Sequence, residues 1–273
     1  MMRKTIGRSV SVSGLGLHSG CSVSVELLPG GPGDGIRFVR RGDGESFEAL
    51  ASSVISTERR TVIGTGGFSV STVEHFMSAA YSLGITDLRV LIDAPEMPVL
   101  DGSAASWCNL FGAAGFVDLP GDRRIVSVPE PLAVTSGGAV VVASPSDRLS
   151  FTYVLDYPGT FLGTQACCFV PSSGDYERDV APARTFGFYS EMEYIKRNNL
   201  AKGCDLSNAL VVMDDGYSSE LKVPCEPARH KCLDLIGDIA LCGCDLRASI
   251  TAFKSGHSLN TEMAALLQKL GGS

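Results

Sequence analysis

The chain has 273 residues, of which 44% are hydrophobic and 19% charged, and its formal net charge is −7. This composition is typical of a globular protein and excludes a disordered chain. The negative charge argues against nonspecific binding to nucleic acid or to an acidic membrane surface, because both need basic patches. We therefore expect no nucleic-acid partner.

No stretch of the sequence approaches the roughly 20 consecutive apolar residues that a membrane span needs, and the first residues lack the apolar core of a secretory signal. Nine cysteines, an odd number without a CxxC pair, indicate free thiols in a reducing compartment. Cys232, Cys242 and Cys244 lie in apolar surroundings and are predicted to be small core residues. We expect a cytoplasmic protein without a transmembrane segment.

The first half of the chain predicts strands followed by helices. Residues 1 to 70 read mainly as strands, since SVSVELLP alternates and GIRFVRR follows a glycine-rich turn. The segment STVEHFMSAAYSLGI predicts a helix that begins near Ser71 and ends before Gly84. A buried strand, DLRVLIDA, and a second helix, DGSAASWCNLFGAAG, follow it. The polar Pro/Gly segment at 118 to 124 is the predicted domain boundary.

The second half repeats this order in outline. Strands are predicted at IVSV, LAVTSGGAVVVASP and LSFTYVLDY, and helices at about 189 to 198, 228 to 243 and 258 to 270. The strand RASITAF precedes the last helix. Strands followed by helices, twice over, predict an α+β fold built from two similar domains, residues 1–120 and 121–273.

The predicted helix ARHKCLDLIGDIALCG carries four ionisable residues in an otherwise apolar run. At 3.6 residues per turn, His230, Lys231, Asp234 and Asp238 fall within an arc of roughly 100°. A helix with so little polar surface is expected to be buried on most sides. Because buried charges must be paired or bound to a metal, this stripe predicts a polar cavity or a narrow solvent-facing strip.

A divalent metal is one explanation for the stripe. His230 and Asp234 are four residues apart, so their side chains lie one above the other and can grip one ion. The alternative is a surface pair that contributes only a few tenths of a kcal/mol. A catalytic zinc site needs three protein ligands and one open position, and His75 is the candidate for the third.

The other residues near this candidate site have competing interpretations. Glu74, beside His75, is either a general base or the acidic member of a Ser71-x-x-Glu74 capping box. His257, in the loop FKSGHSLN, is either functional or a turn residue. We interpret His18, between glycines at a predicted hairpin, as structural.

Hydrolysis of an amide or ester would follow from these residue types. Zinc lowers the pKa of water toward neutrality, and Glu74 would take the proton as water attacks a carbonyl. His257 would protonate the leaving amine, while Asp238 would orient this histidine and raise its pKa. Lys231 would supply positive charge for an anionic substrate or the developing oxyanion. No H-E-x-x-H motif occurs, which excludes an ordinary zincin protease.

Six segments in order resemble the motifs of the UDP-3-O-acyl-N-acetylglucosamine deacetylases: VSGLGLHSG, STVEHFMSA, MPVLDGSAASW, ARTFGF, RHKCLDLIGD and FKSGHSLN. The resemblance runs from about residue 3 to residue 265. This family consists of zinc amidases that commit Gram-negative bacteria to lipid A synthesis. The resemblance therefore implies hydrolysis of a UDP-linked acylated amino sugar to UDP-3-O-acyl-glucosamine and acetate.

The resemblance also implies roles for individual residues. It implies a zinc site made of His75, His230 and Asp234. It implies Glu74 as the general base, and His257 as the general acid or electrostatic partner with Asp238 behind it.

The same resemblance implies the substrate contacts. Thr185 corresponds to a threonine that bonds the oxyanion, and Lys231 to a lysine near the carbonyl and phosphate region. Phe186 and Phe188 belong to the segment beside the acyl chain and nucleotide, and Lys254 is predicted to contact the diphosphate.

The fold implied by the resemblance has two βα sandwich domains packed helix layer to helix layer, with the active site between them. The sequence departs from the family at CDLSNAL, where many members read SLDNA, so acyl-chain preference is not carried over. We expect a monomer.

Two other functions remain open at this point. A different zinc amidohydrolase would keep the same three ligands without needing an acyl groove. A non-catalytic, metal-stabilised binding protein would have a fourth protein ligand and no open position. Iron is an alternative ion, because sites with two histidines and a carboxylate accept it too.

Overall fold

The computed structural model describes residues 1–171, 175–197 and 201–272. These residues form a mixed α/β fold, as the sequence predicts. Across the described part of the chain, the helices are all too short or too polar to cross a membrane.

The first half contains a five-stranded sheet with two smaller sheets beside it. The large sheet has the order β2-β3-β9-β4-β5. A three-stranded sheet, β6-β7-β8, and the pair β1-β10 flank it. The strands are β1 (Met2–Ile6), β2 (Val10–Leu15), β3 (Ser22–Pro29), β4 (Ile36–Arg40), β5 (Ser46–Glu48), β6 (Val54–Ser56), β7 (Val62–Thr65), β8 (Phe68–Ser71), β9 (Leu88–Ile92) and β10 (Phe116–Asp122).

The second half contains a six-stranded sheet and one parallel pair. The large sheet has the order β12-β13-β18-β14-β15, and β11 pairs with β18 as well. The parallel pair is β16-β17. The strands are β11 (Ile125–Ser127), β12 (Leu132–Ser136), β13 (Ala139–Pro145), β14 (Ser150–Tyr157), β15 (Gly163–Phe169), β16 (Thr185–Phe188), β17 (Ala209–Val212) and β18 (Asp245–Phe253).

The two large sheets share one topology. In each, a hairpin on either side flanks a central strand that comes last along the chain, β9 or β18. The central strand is antiparallel to the first hairpin and parallel to the second in both sheets. The sequence predicts only that strands precede helices in each half. The shared strand order could not be predicted, because the two halves show no repeated residue pattern.

Alternation of side chains explains which face of each sheet is buried. Along β3, Val23, Val25 and Leu27 point inward while the residues between them are partly exposed. Along β18, Leu246 and Ile250 are among the alternate residues that are buried. This period of two is what a sheet with one covered face requires.

The helices of the described residues are α1 (Glu74–Ser82), α2 (Ala105–Ala114), α3 (Tyr176–Asp179), α4 (Met192–Arg197), α5 (Glu226–Ala240) and α6 (His257–Leu270). Two long helices, α5 and α6, pack on the large sheet of the second half: α5 contacts β14 and β15, and α6 contacts β12 and β13. The predicted helices at 228 to 243 and 258 to 270 correspond to α5 and α6, which confirms both. The prediction at 189 to 198 corresponds to α4, and residue 198 lies outside the described residues.

Helices α1 and α5 lie directly against each other at the centre of the molecule. The contact is so close that a Cβ on Gly237 would lie 2.0 Å from the carbonyl oxygen of Glu74. Glycine is therefore the residue that lets the two backbones meet. This approach fixes the beginning of α1 beside Gly237 in the C-terminal part of α5.

One of the two interpretations of Glu74 is wrong. Ser71 ends strand β8 and the N-cap of α1 is Val73 without a side-chain bond, so the capping-box interpretation fails. The segment of the predicted domain boundary, 118 to 124, is not a loop throughout, because residues 118–122 belong to β10 and this strand pairs with β1. Pairing with a strand more than 100 residues away overrides the local Pro/Gly signal in that segment.

Replacing Gly237 by alanine should destabilise the protein. Because the added Cβ would overlap Glu74 main chain, we expect a loss of about 1–3 kcal/mol in the free energy of unfolding. Gly112→Ala in α2 is the matched control, since a Cβ there meets nothing within 4 Å and helix propensity favours alanine. Urea unfolding of both variants measures the difference, and equal stability would contradict the close approach.

Candidate metal centre and substrate cleft

The approach of α1 to α5 brings together residues that are far apart in sequence. His75 lies in the first turn of α1, and His230 and Asp234 lie on successive turns of α5. Their donor atoms all lie within 4.8 Å of one another, and all three residues are buried. His75 Nε2 is 3.6 Å from Asp234 Oδ1, and His230 Nε2 is 3.5 Å from Asp234 Oδ2.

The chemistry of these three side chains fits a divalent metal. Asp234 Oδ1 is buried without a hydrogen-bond partner. A buried oxygen of this kind destabilises the fold unless an ion or a water molecule binds to it. Two imidazoles and one carboxylate are a donor set that zinc and iron accept. His230 Nδ1 lies 3.4 Å from the Ala183 carbonyl, and donating its proton there leaves Nε2 free as a ligand.

The protonation states also suit metal binding, which requires a neutral imidazole and an ionised carboxylate. Burial lowers the pKa of His230 to about 4, so its ring is neutral near pH 7. Burial alone would raise the pKa of Asp234, but the charges of His230 and Lys231 outweigh it and hold this pKa well below its usual value.

Lys231 is part of the same cluster. Its ammonium lies 2.7 Å from Asp234 Oδ2. Burial opposes its charge, yet Asp234 more than compensates and raises the pKa of Lys231. The residue therefore remains a fixed positive charge at the floor of the site.

A second group lies beside this cluster and consists of Glu74, His257 and Asp238. His257 is the first residue of α6, and its Nδ1 is 2.9 Å from Asp238 Oδ2. On the other side, its Nε2 is 3.9 Å from Glu74 Oε1. Burial would lower the pKa of His257, but Asp238 and then Glu74 outweigh it and raise this pKa to about 9.

Glu74 has the opposite environment. It is buried, and this desolvation raises the pKa of its carboxyl although His257 and His75 pull it down. A carboxylate and an imidazolium with pKa values displaced in this way form an acid–base pair that can act near neutral pH.

Two residues that hold Asp238 are absent from the sequence-based predictions. Thr61 Oγ1 donates to Asp238 Oδ1 at 2.5 Å, and Asn260 Nδ2 donates to Asp238 Oδ2 at 2.9 Å. The backbone N–H of Thr61 also reaches Glu74 Oε2 at 3.3 Å. Asn260 has a usable signal in sequence, since it follows His257 by three residues on the same helix. Thr61 has none, because its contacts depend on the fold.

The cluster opens into a cleft of about 500 Å³. Thr185, Phe186 and Phe188 line it, as does His18, which we interpreted as structural. Its wall is more apolar than polar, and further apolar residues line it as a group: Leu17, Tyr157, Met192, Leu206, Leu210 and Val211. Asp238 lies behind His257 with no exposed surface.

Lys254 is placed differently from the other predicted substrate contacts. It is not among the residues that line the cleft, and its ammonium lies 3.3 Å from Asp156. The structure thus brings together every predicted site residue except Lys254.

Thr61 offers a test of this arrangement. Thr61→Val leaves a buried Asp238 oxygen without its donor, which should lower the free energy of unfolding by about 1–3 kcal/mol. Thr61→Ser keeps the hydroxyl and should lose clearly less. Denaturant unfolding measures the free energy of unfolding of the two variants. If Thr61→Ser and Thr61→Val lower it equally, the hydrogen bond to Asp238 does not contribute to stability.

Comparison with known proteins agrees with this geometry. A family profile described as LpxC, UDP-3-O-acyl N-acetylglycosamine deacetylase, matches residues 3–269. Curated relatives named UDP-3-O-acyl-N-acetylglucosamine deacetylase include one from Nautilia profundicola, 37% identical over 95% of this chain and 89% of the relative. A relative from Campylobacter fetus subsp. fetus is 36% identical over 98% of this chain and 92% of the relative. Another, from Helicobacter hepaticus, is 37% identical over 95% of this chain and 88% of the relative. The chain belongs to the UDP-3-O-acyl-N-acetylglucosamine deacetylase family.

Proposed function

We propose that this protein hydrolyses the acetamide of UDP-3-O-acyl-N-acetylglucosamine to give UDP-3-O-acyl-glucosamine and acetate, the committed step of lipid A biosynthesis. The observation that carries the proposal is one buried cluster at the end of an apolar cleft. It combines three possible metal ligands with an acid–base pair.

His75, His230 and Asp234 would hold the metal. When bound, a divalent cation polarises a carbonyl and lowers the pKa of water. Zinc is our first choice and iron the alternative, because both accept two histidines and a carboxylate. Among the described residues, two groups of three mutually close donors share Asp234, and the second group consists of Glu74, Asp234 and His257. Glu74 and His257 are not part of the group of His75, His230 and Asp234, which favours a catalytic site with three ligands and an open position over a closed structural one.

Glu74 would act as the general base. Its carboxyl lies next to His75 along the chain, so it borders the place where the amide must sit. The raised pKa lets it accept a proton from water and pass that proton on within one turnover.

His257 would be the general acid or electrostatic partner. Asp238 holds its Nδ1 side, so the Nε2 proton faces Glu74 and the cleft. Protonated near neutral pH, it can donate to the amine as the C–N bond breaks. Thr61 and Asn260 keep Asp238 from turning away.

Lys231 and Thr185 would stabilise the oxyanion. Both line the cleft, and Lys231 keeps its charge because of Asp234. Fixed donors in a buried site stabilise developing negative charge without reorganising.

The apolar wall of the cleft favours an acylated substrate over a small amide. Phe186 and Phe188 contact each other at right angles, and Phe186 also stacks edge-on against His230. A hydrocarbon chain would gain about 25 cal/mol for each Å² that it buries on such a wall.

We propose that Lys254 reaches the diphosphate only if its ion pair with Asp156 opens.

Other aspects of the organisation also remain our proposal. The common topology of the two large sheets supports two βα sandwich domains, 1–120 and 121–273, with helix layers facing each other and the active site between them. We propose a monomeric enzyme that acts in the cytoplasm, because all nine cysteines are described and are free, as is usual in a reducing compartment.

Replacing Glu74 by glutamine should separate chemistry from metal binding. Turnover of UDP-3-O-acyl-N-acetylglucosamine should fall by roughly 10²–10⁴-fold, the usual contribution of a general base. Zinc content should stay near that of the unmodified protein. His75→Ala should instead lose the metal and the activity together. Elemental analysis beside an acetate-release assay measures both, and full turnover in the glutamine variant would contradict the base assignment.

The pH dependence of kcat/KM should be bell-shaped. Activity should fall at acid pH, because the raised pKa of Glu74 leaves it protonated there, and at alkaline pH, as His257 loses its proton through a pKa of about 9. Asp238→Asn removes the charge that most raises the pKa of His257, so the alkaline limb should move toward neutral pH.

Asp43→Asn is the control for this profile, since Asp43 is an exposed carboxylate paired with Arg40 outside the cleft. It should leave both limbs in place. An unchanged alkaline limb in Asp238→Asn would mean that another group sets it.

A further inference from the structure

A second cavity lies at the C-terminal ends of α1 and α5, whereas the metal centre involves the first turn of α1. We call it the distal cavity, and its volume is about 210 Å³. Residues that line it include Tyr81, Arg124, Gly243, Cys244 and Asp245. None of these residues belongs to the proposed catalytic site.

Residues that line the distal cavity carry buried polar atoms without a hydrogen bond, although Asp245 Oδ2 is in an ion pair with Arg123 Nη1 at 3.5 Å. Among the described residues, eight buried side-chain polar atoms lack a hydrogen bond, and three of them are Tyr81 Oη, Arg124 Nη2 and Asp245 Oδ2. Two more, on His18 and Asp234, belong to the substrate cleft. Because buried polar groups are nearly always satisfied, atoms of this kind mark places where a small polar molecule binds.

A pair of thiols forms part of the same place. Cys242 Sγ and Cys244 Sγ are 3.5 Å apart, on either side of Gly243. Gly243 has φ +69°, a left-handed turn that lets the two flanking side chains meet. The sulfur atoms of a disulfide are about 2.0 Å apart, so the two thiols need to approach by only about 1.5 Å to form one.

The two thiols are not equivalent. Cys244 lines the distal cavity, whereas Cys242 is buried behind it and makes a 3.3 Å contact with the Cys244 carbonyl. The hydrogen bond between the two thiols lowers the pKa of Cys244 despite its burial, and the charge of Arg124 lowers it further, although Asp245 opposes this. Since the thiolate is the nucleophile, Cys244 is the more reactive of the two.

We propose that Cys242 and Cys244 form an oxidation site for small hydroperoxides that enter through the distal cavity, with Cys244 as the attacking thiol and Cys242 as the resolving thiol. The free donor atoms of Arg124 and Tyr81 would bind the peroxide oxygens. The site goes beyond deacetylation and does not depend on it.

The chemistry balances in two steps. The Cys244 sulfur attacks one oxygen of hydrogen peroxide, and the O–O bond breaks. The second oxygen leaves with the electron pair and takes a proton to become water, so that Cys244 becomes a sulfenic acid. Cys242 sulfur then attacks that sulfur, the hydroxyl leaves with a proton as a second water, and the disulfide forms. The two thiols together lose two electrons to the peroxide.

The test uses the full-length, metal-loaded protein and hydrogen peroxide. After brief exposure, thiols are blocked with iodoacetamide, and cleavage before Asp238 and Asp245 releases residues 238–244 with this pair and no other cysteine. We expect this peptide to be unalkylated and lighter by two hydrogen atoms. The pair should react at least tenfold faster than exposed Cys168.

The chain contains a matched control pair. Cys167 and Cys232 are also buried and hydrogen-bonded to each other, but neither lines the distal cavity. If access through the cavity matters, this pair should stay reduced while Cys242 and Cys244 oxidise. Equal oxidation of the two pairs, or a fully alkylated 238–244 peptide in folded protein, would overturn the proposal.

Single variants assign the roles of the two sulfurs. Cys242→Ser should accumulate a sulfenic acid on Cys244 that dimedone traps, whereas Cys244→Ser should give none on Cys242. Arg124→Gln should slow disulfide formation by about tenfold without changing the product. Circular dichroism checks that each variant is folded, and Cys242→Ala replaces the serine variant if it is not. A sulfenic acid on Cys242 in Cys244→Ser would contradict the assignment.

Discussion

The close approach of α1 and α5 at Gly237 is the constraint on which the rest of the structure depends. It places the backbone of Glu74 against the C-terminal part of α5, where a side chain of any size would separate the helices. Each helix carries only part of the chemistry. His75 and Glu74 begin one helix, and His230, Asp234 and Asp238 follow one face of the other. The three donors of the candidate metal site therefore come from both helices.

Burying so many ionisable groups at one place is stable only because each charge has a counterpart. Lys231 faces Asp234, and His257 faces Asp238 and Glu74. Thr61 and Asn260 supply neutral donors to Asp238. The one oxygen of the cluster without a partner belongs to Asp234, and a metal would meet it. The pKa of Glu74 is raised by burial, that of His230 is lowered by burial, and that of His257 is raised by Asp238 and Glu74 against its burial. Shifts in these directions suit the proposed acid–base roles.

Much of this site could be predicted from sequence because its signals are local. Four ionisable residues on one face of an apolar helix identify α5, and Glu74 and His75 stand out as adjacent candidates in the helix that became α1. The predicted beginning of that helix, near Ser71, is three residues too early. Thr61 could not be found in this way, since its hydroxyl meets Asp238 across 177 positions. The same limitation explains why the capping-box interpretation fails, since Ser71 and Glu74 belong to a strand and a helix. It also explains why the polar residues 118–122 form a strand with the distant β1. His18, which we interpreted as structural from its neighbouring glycines, lines the cleft. Its position depends on the tertiary fold and not on the local sequence.

The central claim is that one divalent ion binds where α1 meets α5. Anomalous diffraction from crystals of the zinc-loaded protein, collected on both sides of the zinc absorption edge, tests it most directly. The account predicts one strong peak within about 2.0–2.2 Å of a nitrogen of His75, a nitrogen of His230 and a carboxylate oxygen of Asp234. A peak elsewhere, for example at the Cys242 and Cys244 thiols, with none between the two histidines, would contradict it.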